Sequence, residues 1–100
     1  MGLEDETMKV KIGGHQYRIR YKKGLARNHD AAGMSCANAL DIILDPDGKK
    51  SHINEVFRHE VIEQVNYCHE LNLPHDTITT LGCCLQQILS DNRKIVKEFT

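Results

Sequence analysis

The sequence predicts an α+β fold: a small, three-stranded, mainly antiparallel sheet packed on two helices. Two observations predict it. Period-two alternation of polar and apolar residues is confined to residues 8–45, and apolar spacing of three and four to residues 51–92. One hundred residues allow one small domain with a modest core. It is expected over residues 8–100, behind a disordered acidic lead-in at residues 1–7.

The elements follow in order. Lys9-Val10-Lys11-Ile12 and Tyr17-Arg18-Ile19-Arg20-Tyr21 alternate, and Gly13-Gly14 lies between them. This predicts a hairpin with its turn near residues 13–16. Residues 22–35 are rich in Gly, Asn, Asp and charge and read as a loop, long enough for so small a domain to suggest functional use or mobility. Leu40-Asp41-Ile42-Ile43-Leu44 is a third strand beginning near Cys36, and Asp45-Pro46-Asp47-Gly48 turns the chain after it. Ser51 suits the N-cap of a long helix over residues 51–71, which Pro74 stops. Asp76 or Thr77 can cap a second helix to about Asp91, with Ile78, Leu81, Leu85, Ile88 and Leu89 as its apolar stripe. In the tail, Ile95, Val96 and Phe99 are candidates for docking.

Composition excludes several classes. Thirteen basic residues against fourteen acidic ones leave a net charge of -1, which argues against a nucleic-acid-binding arm or a polybasic membrane patch. The first seven residues carry three acids and no apolar run, so no secretory signal is expected. No stretch approaches transmembrane length, and Glu6 stands where myristoylation needs Ser or Thr. Cys36, Cys68, Cys83 and Cys84 are not spaced as CxxC pairs. They are expected to be reduced thiols packed as small hydrophobes.

The chemistry concentrates in His59-Glu60-Val61-Ile62-Glu63 on the long helix. Residues four apart share a helix face, so His59 and Glu63 can point at one metal ion with Glu60 beside them. This is the geometry of H-E-x-x-H, which binds zinc and places a glutamate near the water to be activated. Here glutamate replaces the second histidine. On a helical wheel started at Ile53, the apolar arc runs through zero and Glu60 falls inside it, at roughly 340°. A charged carboxylate there is costly unless paired. It is explained by a salt bridge to Arg18 or Arg20, by a solvated edge, or by a cavity holding water and metal. His69-Glu70 repeats the pair outside the apolar arc and reads as surface.

A catalytic zinc site needs three protein ligands. His75, just past Pro74, is the best third candidate because a helix hairpin could return it to the first helix. Asp76 and His52 are rivals, whereas His15 and His29 have no spacing argument.

The chain resembles the minimal zincin-type metallopeptidase domains of phages and mobile elements, related to the ImmA/IrrE and SprT-like groups. The matching residues are His59-Glu60-Val61-Ile62-Glu63, Val65-Asn66-Tyr67, Leu73-Pro74-His75-Asp76 and the helix end Gln86-Gln87-Ile88-Leu89-Ser90-Asp91-Asn92, within residues 8–92. The resemblance implies zinc as one divalent ion held by His59, Glu63 and His75, with Glu60 as general base. It implies a metallopeptidase of the bacterial cytoplasm that acts on a peptide or protein, held by addition to an edge strand at residues 36–44. The departure at Glu63 adds negative charge, which weakens zinc as a Lewis acid. A non-catalytic zincin-like module that binds and regulates a host or phage protein is therefore the competing expectation. A plain structural domain is the third.

Overall fold

The computed structural model describes residues 8–26 and 32–100. The acidic lead-in and His29 lie outside the described residues. Strands β1 (Lys9–Ile12), β2 (His15–Tyr21), β3 (Gly33–Cys36) and β4 (Asp41–Leu44) precede helices α1 (Lys50–His69), α2 (His75–Asp91) and α3 (Arg93–Glu98). The α+β class is as expected. The sheet has four strands rather than three, in the order β1-β2-β4-β3, and the helices number three rather than two among the described residues.

β1 and β2 form the expected hairpin, with Lys9 opposite Arg18 and Ile12 opposite His15. Its turn is only Gly13-Gly14, at φ 57° and 86°. Both residues are left-handed, as a two-residue turn with the right twist requires. The third strand expected from near Cys36 is instead two strands. β3 and β4 pair antiparallel around residues 37–40, where Leu40 takes φ 55°. β4 then pairs parallel with β2, Arg18 opposite Asp41 and Tyr21 opposite Leu44. The sheet is therefore mixed. β4 lies inside it, and β1 and β3 are its edges. Arg18 and Arg20 both turn to Asp41, at 2.8 and 3.6 Å.

α1 crosses one face of this sheet. Ile12, Tyr17, Ile19, Ile42 and Leu44 form the buried cluster, and Ile53, Val56, Phe57, Val61 and Val65 of α1 pack on it. Each buried aliphatic side chain contributes about 1.5–3 kcal/mol relative to exposure, so this layer supplies most of the driving force for folding. The helix meets β3 closely. A Cβ on Gly33 would lie 2.5 Å from Val56 Cγ1, so the absence of a side chain there permits the contact.

The helix ends differ from the expected caps. α1 begins after Lys49, with no side-chain cap hydrogen bond, so Ser51 lies inside the first turn. Glu70 ends it in the left-handed conformation, φ 52°, and the Leu71 N–H bonds the Asn66 carbonyl at 3.1 Å. The Leu73 N–H bonds Asn66 Oδ1 at 2.9 Å, which ties the connection back onto α1. α2 begins after Pro74 rather than at an Asp76 or Thr77 cap.

α2 is rotated from the expected face. Ile78, Gly82 and Gln86 are its buried residues, one turn apart, while Leu81, Leu85 and Ile88 are exposed. The small Gly82 allows close approach to α1, and that approach outweighs burial of the leucines. In the tail, Ile95 of α3 and Phe99 just past it are exposed and do not dock, whereas Val96 is half-buried. All four cysteines are free and exposed, which corrects the expectation of packed thiols. No helix among the described residues is long and apolar enough to cross a membrane.

Candidate metal centre

α1 presents His59 and Glu63 one turn apart, and the return of the chain after Pro74 brings His75 to them. Glu63 Oε2 lies 3.3 Å from His59 Nε2 and 3.4 Å from His75 Nδ1. The two imidazole rings meet edge to face, with centroids 5.0 Å apart. One ligand atom from each of the three residues lies within 4.8 Å of the other two, so the group can hold a metal ion. Tetrahedral zinc with bonds of ~2.0–2.1 Å separates its ligands by ~3.3 Å. Two edges of the triangle already have that length, and the donor set of two imidazoles and one carboxylate suits zinc.

The rival ligands lie elsewhere. Asp76 Oδ1 accepts from the Thr77 N–H at 2.9 Å, and His52 is outside the cluster although it lines the same groove. His69 is exposed at the end of α1, and His15 at the start of β2. No cysteine belongs to the cluster.

Glu60 lies beside these residues and is 8% exposed. The salt bridge to Arg18 or Arg20 and the solvated edge are both replaced by a hydrogen bond: Ser35 Oγ donates to Glu60 Oε1 at 2.8 Å. Behind it runs a buried polar chain. Gln64 Nε2 donates to Ser35 Oγ at 2.8 Å, and the fully buried Tyr17 hydroxyl donates to Gln64 Oε1 at 2.8 Å. Every link has a partner, as a buried network requires. Burial pushes the Glu60 carboxyl above its usual range. The Ser35 bond and the charge of His59 and His75 oppose the shift, while Glu63 adds to it. The direction suits a group that must accept a proton near neutral pH.

The sequence did not single out Ser35, Gln64 or Tyr17. Ser35 falls within the expected loop, because Gly33-Met34-Ser35-Cys36 contains no β-branched or aromatic residue. Gln64 did carry a signal: the wheel that isolates Glu60 also places it at roughly 20°, in the middle of the apolar arc.

The cluster opens into a groove of about 680 Å³. β3 forms one wall, through Gly33, Met34 and Ser35, and Val56, Tyr67 and Thr79 contribute the others. The edge strand beside the cluster is therefore β3 rather than one continuous strand over residues 36–44.

A close contact between the two helices lies at this centre. A Cβ on Gly82 would stand 3.3 Å from the His59 nitrogen and 3.4 Å from its Cα. Backbone atoms cannot rotate aside. Gly82→Leu is expected to push α2 from α1, destabilising the fold by about 1–3 kcal/mol. It should also weaken metal binding, because His75 moves with α2. Urea denaturation and a zinc titration on the same variant check both effects.

Comparison of the chain with known protein families, curated proteins and solved structures finds no match.

Proposed function

We propose that this protein is a small zinc-dependent peptidase of the zincin type, of the kind carried by phages and mobile elements. The observation that carries the reading is the convergence of His59, Glu63 and His75 beside a buried glutamate in a groove walled by an edge strand. Bound there, zinc would polarise the scissile carbonyl and acidify water.

The chain's own residues do the rest. Glu60 takes the proton of the attacking water and returns it to the leaving amine. Ser35 and Gln64 hold its carboxylate at the groove and limit its rotation. The free side of β3 pairs with the backbone of an extended peptide, whose alternate side chains enter the groove. The carboxylate of Glu63 reduces the positive charge available at the centre, so turnover is expected to be slow.

A zinc-loaded sample incubated with unstructured peptides should yield new amino termini by mass spectrometry. A chelator should stop the reaction and added zinc restore it. Stoichiometric metal without cleavage of any peptide would reject the peptidase reading. It would favour the non-catalytic module, which is supported by the exposed Leu81, Leu85 and Ile88 on α2 and the exposed Ile95 and Phe99 of the tail.

A further inference from the structure

The buried chain behind Glu60 has a direction. A serine hydroxyl carries one hydrogen. Ser35 Oγ stands 2.8 Å from Glu60 Oε1 and 2.8 Å from Gln64 Nε2. An ionised carboxylate has no hydrogen to give, so the Ser35 hydrogen goes to Glu60 and the Ser35 oxygen accepts from the amide. Gln64 then shows its Oε1 to Tyr17, whose hydroxyl supplies the last hydrogen at 2.8 Å. Each assignment forces the next.

A buried tyrosine hydroxyl needs a partner, and a backbone carbonyl would serve a tyrosine that only fills a core. Tyr17 belongs to the apolar cluster on the sheet, yet its hydroxyl is spent on a glutamine side chain. Gln64 is as unusual. It is buried on the apolar face of α1, and its two amide ends are taken up by Tyr17 and Ser35. Residues from β2, α1 and β3 thus form one line of donors, and the line ends on a single carboxylate.

We propose that Tyr17 is a positioning residue for Glu60, the terminal donor of a one-way hydrogen-bond chain that fixes the carboxylate in the wall of the metal groove. The proposal rests on the reading of Glu60 as general base. Without the hydroxyl, Gln64 has two poor choices. Keeping Nε2 on Ser35 leaves Oε1 buried without a donor. Turning the amide over brings Oε1 to Ser35, where it competes with Glu60 for the one hydrogen. Cys68 Sγ, 3.9 Å from the Tyr17 oxygen, is a weak donor and does not replace the hydroxyl. In both cases the carboxylate loses restraint, although Tyr17 acts on it only through Gln64 and Ser35.

A double-mutant cycle on the full chain tests it. Tyr17→Phe removes the terminal donor and keeps the ring that fills the core. Gln64→Leu removes the amide that competes for Ser35, so in the double variant Ser35 has only Glu60 to donate to. Tyr17→Phe is expected to lower kcat of the zinc-loaded protein roughly tenfold, with KM and zinc content unchanged. Adding Gln64→Leu should return kcat to within about threefold of the wild type. A tyrosine that serves packing alone gives the opposite order, with the double variant no better than Tyr17→Phe. A second readout needs neither zinc nor turnover. In the metal-free protein, three-bond couplings along the Glu60 side chain should report one rotamer in the wild type, averaging in Tyr17→Phe, and one rotamer again in the double variant. The wild type alone gives a third check, whatever the stability of the variants: the Gln64 amide hydrogens should show contacts to the Ser35 β-hydrogens and none to the Tyr17 ring. Glu60 couplings equal in all forms, a double variant no better than Tyr17→Phe, or Gln64 amide hydrogens against the Tyr17 ring would each overturn the proposal. Couplings that respond as expected while no form cleaves peptide would support the hold of Tyr17 on Glu60 and reject the peptidase reading instead.

Discussion

His59→Ala is expected to lower zinc affinity by at least ~100-fold, beyond the 10–100-fold that loss of an outer hydrogen-bond partner costs. His59 Nε2 and His75 Nδ1 both stand about one tetrahedral edge from the same Glu63 oxygen, at 3.3 and 3.4 Å. Removing either imidazole leaves two ligands on a surface groove, too few for a tight site. The fold should survive, because His59 lies outside the apolar cluster on the sheet. Metal analysis of the dialysed protein, beside its circular dichroism, reads both results. Retention of one zinc per chain in His59→Ala would place the metal elsewhere. Glu63→Gln should weaken the site too, because the amide loses the negative charge that both histidines share.

Glu60→Gln is expected to reduce peptide cleavage by about 10²–10⁴-fold while the zinc content stays the same. The amide can still accept the Ser35 hydrogen bond, but it cannot take a proton from water. The same substitution should raise the melting temperature of the metal-free protein at pH 7. Burial holds the folded carboxyl above its ordinary 4.5, so the folded state binds that proton more tightly than the unfolded chain does. The resulting penalty is absent at low pH and grows as pH rises through the unfolded value towards the folded one. The gain in melting temperature should therefore shrink as the pH is lowered. A residue whose removal stabilises the fold and abolishes turnover has the signature of a functional group rather than a structural one. A lower melting temperature for Glu60→Gln at pH 7 would assign Glu60 a structural role.

Much of the candidate site was legible because helical spacing is a local rule. His59, Glu60 and Glu63 share their geometry whatever surrounds the helix, and Pro74 marks where the chain must turn. The assignment of His75 rested on that turn, and the structure brings it to Glu63. The sheet was less legible. β3 has no strand-forming side chains, and its register comes from β4 and from the close contact of Gly33 with Val56. The rotation of α2 was hidden for a similar reason. Hydrophobicity favoured the face with Leu81 and Leu85, while the packed face was chosen by Gly82, which contributes shape and no apolar surface. Patterns of hydropathy record what a face is made of and not how near another helix can come.

The parallel pairing of β2 with β4 bears on how the chain reaches this state. The two hairpins, β1–β2 and β3–β4, join residues near in sequence and can form early. The seam between them joins Arg18 to Asp41, across the intervening segment and a whole strand. Its closure entropy must be met before the ion pair and the buried Ile19 and Ile42 return anything. Docking of the two hairpins is therefore the expected rate-limiting step, with α1 packing across the seam as it closes. Lengthening the segment between β2 and β3 should slow refolding and leave the unfolding rate nearly unchanged. The metal ligands all lie beyond β4, so zinc is expected to reward the finished fold rather than to nucleate it.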